Sequence, residues 1–81
     1  MIIAREHRGG LAESMATAKT FNTKEEMVNY FTKMWSKWYG RKVKITIGEQ
    51  VMRDHRIGWN TQYILCDGCA VGMCDLNYTA K

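Results

Sequence analysis

Arg5-Glu6-His7-Arg8-Gly9-Gly10 sets two guanidinium groups, an imidazole and a carboxylate directly before a diglycine. Arginine meets phosphate or carboxylate with two parallel N–H donors. Backbone N–H groups beside glycine can add an anion-holding nest. Arg53-Asp54-His55-Arg56 repeats the pattern, again with a histidine next to arginine. If folding brings the two segments together, four arginines and two histidines line one anionic site. Taken singly, each is equally a solvated turn whose charges pair with one another. Spacing along the chain does not decide between these.

Trp35, Trp38 and Tyr39, followed by Gly40, Arg41, Lys42 and Lys44, interleave aromatic and basic side chains. Such a mixture can stack bases and hold phosphates. Aromatics at helical spacing are more often core, and that plainer reading is preferred. Cys66-Asp67-Gly68-Cys69 has the spacing of a zinc half-site, but a structural site needs two more ligands. Cys74, the nearest third thiol, falls on the opposite face of the expected strand and about 17 Å along it. A disulfide across the turn is geometrically conceivable, yet a reducing compartment disfavours it. The cysteines therefore read as small apolar strand residues, with no metal and no cofactor expected. A ribonuclease pair of His7 and His55 would need both imidazoles at one phosphate, which no spacing rule supports. Phosphate-loop, dinucleotide-fingerprint, nucleophile-elbow and paired-carboxylate patterns are all missing, so no catalytic residues are assigned.

Something must position these groups. The 81 residues suit one domain, 1–81, with a thin core, and the 46% apolar composition argues against disorder. Twelve Lys and Arg against eight Asp and Glu give +4, which permits an anionic partner, nucleic acid included, without requiring one. No apolar run approaches the roughly 18 residues of a membrane span. The start turns charged at Arg5, too early for a secretory signal. Three cysteines without an export signal suggest free thiols in a reducing compartment.

Ile2–Arg5 reads as an opening strand, and the second half of Leu11–Phe21 as another. Thr23 with Glu26 forms a capping box. From there Met27, Phe31, Met34 and Trp38 mark one helix face, widened by Val28 and Trp35. Gly40 stops the helix, with Arg41 and Lys42 beside its negative end. Val43–Ile47 alternates as a half-buried strand, and Arg53–Arg56 reads as a charged loop. Asp67-Gly68 predicts a two-residue type I′ hairpin. That register sets Cys66 opposite Cys69, Ile64 opposite Val71, Gln62 opposite Met73 and Asn60 opposite Asp75 on one face. Thr61, Tyr63, Leu65, Gly72, Cys74 and Leu76 fall on the other, which is the better match for the helix. The expected fold is α+β: a small antiparallel sheet in the order ββαβββ with one amphipathic helix on one face. Ile64, Val71 and Met73 then make an apolar end on the far face, which suggests a homo-oligomer.

The stretch from Arg5 to Met15, the Phe21-led helix start and Asp54-His55-Arg56-Ile57-Gly58-Trp59-Asn60-Thr61 resemble a group of small phage and prophage proteins. Their pattern opens with R-E-H-R-G and later reads D-x-R-I-G-W-[DN]-T, then a hydrophobic strand and a glycine hairpin. The likeness covers most of the chain. Cys66 and Cys69 depart from the pattern, which sets them outside the group's shared features. The resemblance implies an accessory protein made in the host cytoplasm and supplies no activity.

Proteins of that kind commonly act by occupancy. The expected function is therefore a non-enzymatic counter-defence binder capturing a phosphate-bearing ligand such as a nucleotide signal. Arg5, His7, Arg8, Gly9, Gly10 and Arg56 would hold the ligand, with Trp59 and Asn60 shaping the pocket. The alternatives are a protein-directed inhibitor of a host defence nuclease, a nucleic-acid-binding module and, remotely, a metal-free ribonuclease.

Overall fold

In the computed structural model, residues 1–7, 16–54 and 58–78 are described, without the side chains of residues 53, 54, 58 and 59. The strands are β1 (Ile2–Glu6), β2 (Lys19–Phe21), β3 (Ile45–Ile47), β4 (Met52–Asp54), β5 (Gly58–Cys66) and β6 (Cys69–Asp75), and the helix α1 is Lys24–Tyr39. All pairings are antiparallel, in the order β2-β1-β6-β5-β3, and β4 continues the outer edge of β5 beyond β3. Among the described residues the fold is α+β, with α1 packed on one face of the sheet. The described residues hold one strand more than expected, because β4, which overlaps the Arg53–Arg56 stretch read as a charged loop, pairs with β5.

Local signals held where only neighbouring residues were involved. The Thr23 hydroxyl accepts from the Glu26 N–H at 3.2 Å. The Glu26 carboxylate reaches back to the Asn22 N–H at 3.3 Å, one residue before the position a capping box would use. Gly40 ends α1 at φ 68°, and its N–H donates to the Ser36 carbonyl. Asp67 and Gly68 both have positive φ, 49° and 88°, as a type I′ turn requires.

The hairpin register departs from expectation beyond the turn. Cys66 faces Cys69 and Leu65 faces Ala70, but Ile64 faces Gly72, so Val71 is an extra residue in β6. This bulge moves every later residue of β6 by one place, and one place reverses the face. The helix packs on the face that carries Ile64, Cys66 and Val71, and the bulge brings Cys74 to it; these join Ile2, Ala4, Phe21, Ile45, Met27 and Phe31 in one core. The expected helix-facing set was right for Cys74 and Leu76 and wrong for Thr61, Tyr63 and Leu65, which alternate onto the opposite face. Ile64 and Val71, expected on an open apolar face, are buried in this core. The opposite face carries Arg5, Met73, Asp75 and Thr61, all at most 8% exposed.

Gly72 explains how β1 fits so closely. A Cβ there would collide with the Arg5 carbonyl oxygen and lie 3.4 Å from Glu6 Cα. Among the described residues, no helix is long and apolar enough to cross a membrane.

Candidate functional site

β1 alternates, so Arg5 and Glu6 point to opposite faces. Arg5 is 5% exposed, with Nη2 3.3 Å from Met73 Sδ. Its guanidinium is thus off the open surface. Glu6 points to the helix side, 8% exposed, and its backbone N–H donates to Thr17 Oγ1 at 2.8 Å. His7 follows the strand and extends its pairing, its N–H donating to the Val71 carbonyl at 2.9 Å. The imidazole is exposed and lies 6.0 Å from the Tyr63 ring.

Across from Glu6 and His7 runs the last part of α1. Met34, Trp35, Lys37 and Trp38, spaced to share a side of the helix, close an open cleft of about 540 Å³ with them. Trp35 stacks on Tyr39 at 5.8 Å and meets the Trp38 ring edge-on at 6.5 Å. Trp38 is 78% exposed, which corrects its placement in the core. It lies on the same side of α1 as buried Phe31, but at this turn the described strands no longer cover that side. The Trp35 Nε1–H is buried without a hydrogen-bond partner among the described residues.

The cleft thus offers aromatic surface for a planar ring and a lysine for anionic groups. Among the described residues, no group of three or more His, Cys, Asp or Glu side chains is placed to hold a metal ion.

No family model, curated protein or solved structure matches the chain.

Of the residues expected to form the site, Arg8, Gly9, Gly10 and Arg56 lie outside the described residues, as does the Trp59 side chain. His55, and with it the paired-histidine idea, lies outside them too. The points where the two Arg-His segments attach are described. Residues 8–15 begin after His7 and end before Ala16 and Thr17, all at the Glu6 end of β1. Residues 55–57 are flanked by Asp54 and Gly58, which pair with each other. Glu6 lies level with Gly72 and Ile64, six residues along β5 from Gly58. At about 3.4 Å per residue, the attachments are about 20 Å apart along the strand. Exposed Asn60 belongs to the far attachment. The cleft was missed because Glu6 and Lys37 were not read as partners. The Trp35–Trp38–basic pattern was its only trace in the sequence.

The hairpin tip forms a second polar cluster. Asp67 Oδ1 accepts from the Lys44 N–H at 2.9 Å, and Oδ2 from Arg41 Nη1 at 2.7 Å. The Lys44 amide, and then the Arg41 guanidinium, hold this carboxyl below its ordinary range. Arg41 also lies 5.5 Å over the Tyr39 ring, tying the hairpin to the helix end.

Proposed function

We propose that this protein is a small non-enzymatic binding domain that captures a phosphate-bearing planar ligand, such as a nucleotide signal, in the cleft between β1 and α1. One observation carries the reading: Trp35 and Trp38 share that cleft with Lys37, His7 and Glu6. Stacking on an aromatic ring is worth about 1–3 kcal/mol per base and suits any nucleobase. Lys37 supplies charge for the phosphate beside the two indole rings. His7 of the sequence-based set lines the cleft, and Trp35, Lys37 and Trp38 of α1 are added to it; Arg8, Gly9, Gly10, Arg56 and the Trp59 side chain lie outside the described residues. We read the role as counter-defence in an infected host, from the resemblance of the two motifs to small phage proteins.

Isothermal titration against cyclic and linear nucleotides tests the proposal. Micromolar binding is expected, weakened at least tenfold by Trp38→Ala and by Lys37→Glu. Absence of binding by every nucleotide at that concentration ends it. The second reading, inhibition of a host protein, is favoured by the exposure of Trp38 and Tyr39 beside Arg41, residue types that dominate protein interfaces. It predicts a host protein that co-purifies with the wild-type chain and is lost with Trp38→Ala, without affinity for nucleotides.

A further inference from the structure

Cys66 and Cys69 flank the hairpin turn as direct cross-strand partners. Facing residues of antiparallel strands have Cα atoms about 4.5–5.5 Å apart. That falls within the roughly 4.4–6.8 Å that a disulfide spans. Both thiols are free. Cys69 is exposed and open to attack by a small reagent, whereas Cys66 is 4% exposed at the rim of the core. Burial pushes the Cys66 thiol up, with the Asp67 charge adding to it and Arg41 opposing. Cys74 is fully buried and pairs with Gln62 further down the ladder, so it stays out of reach of the other two.

The turn between the thiols keeps its shape without a covalent link. Its positive φ angles suit Asp67-Gly68, and the Asp67 N–H donates to the Lys44 carbonyl at 2.9 Å. The carboxylate adds its bonds to the Lys44 N–H and Arg41. The two cysteines are thus held opposite each other whether or not a bond joins them.

We propose that Cys66 and Cys69 form a redox-active dithiol, closed to a cross-strand disulfide by a low-molecular-weight disulfide such as oxidised glutathione. The Cys69 thiolate attacks one sulfur of the glutathione disulfide and releases one glutathione thiolate. Cys66 loses its proton and attacks Cys69 Sγ in the mixed disulfide, releasing the second glutathione. Two protein thiols are oxidised and one glutathione disulfide is reduced to two thiols, so electrons and protons balance. In a reducing compartment the pair rests as thiols. A shift in the glutathione pool closes it beside the Asp67–Arg41 link to the helix end.

The experiment incubates the full chain with mixtures of oxidised and reduced glutathione, alkylates the remaining thiols and maps them by mass spectrometry. The expected product is two hydrogens lighter, carries one alkylated thiol at Cys74, and forms at a rate independent of protein concentration. Cys74→Ser gives the same 66–69 bond. Cys66→Ser is buried, so Cys69→Ser carries the control, and it forms no intramolecular disulfide. A wild-type chain that stops at a stable glutathione adduct on Cys69, that crosslinks only between molecules, or that keeps all three thiols overturns the proposal.

Discussion

Gly72→Ala tests the closest backbone approach in the sheet. The added methyl would meet the Arg5 carbonyl oxygen, with Arg5 C at 3.3 Å and Glu6 Cα at 3.4 Å. These are backbone atoms of a paired strand, so no side chain can swing aside. Overfilling a packed site costs about 1–3 kcal/mol. Parting β1 from β6 here also strains the His7 N–H bond to Val71, and one such bond contributes about 0.5–1.5 kcal/mol. Together these come to about 1.5–4.5 kcal/mol, a large share of the stability of so small a domain. The assay is urea unfolding followed by far-UV circular dichroism, comparing midpoints at unchanged slope. Gly48→Ala is the control, since a methyl there meets Tyr63 Cβ at 3.5 Å, an ordinary contact, and the change should stay within about 0.5 kcal/mol. Equal midpoints for the two variants would refute the argument, because the site would then yield as readily as open surface.

Thr23→Ala removes the acceptor for the Glu26 N–H and should cost about 1 kcal/mol in the same assay. Burial raises the Cys74 thiol from 9.0 to about 11, so the folded chain keeps a proton that the unfolded chain loses. The resulting stability is complete below pH 9 and is lost as pH rises through about 11, up to about 3 kcal/mol. Cys74→Ala should lack that alkaline slope relative to wild type, and parallel curves from pH 8 to 11 would contradict it. The Asp67 carboxyl is depressed from 3.8 by the Lys44 amide and then by Arg41, so its contribution is present above that pH and lost as pH falls through the lower folded value. Asp67→Asn should therefore be less stable than wild type at pH 6, with the gap closing under acid; a gap constant down to pH 2 would exclude the carboxylate as its source.

What could be read without coordinates was whatever a few adjacent residues decide among themselves. Thr23 and Glu26 cap a helix start, Gly40 ends it in a conformation that favours glycine, and Asp67-Gly68 bends a hairpin, because each depends on backbone groups within a turn's reach. A strand within Val43–Ile47 was legible for the same reason, though only Ile45–Ile47 pairs, and with it the α+β class and a helix packed on the sheet. The face of β6 was not legible, since one unpaired residue at Val71 reverses everything after it, and a bulge is set by the fit of two strands. Nor was the cleft, whose members Glu6 and Lys37 are brought together only when α1 crosses the end of β1. The separation of the two Arg-His attachments followed from strand order, which local periodicity does not encode. Residue types determined what chemistry was available. The tertiary structure decided which groups share a site, because that depends on contacts between segments far apart in the chain.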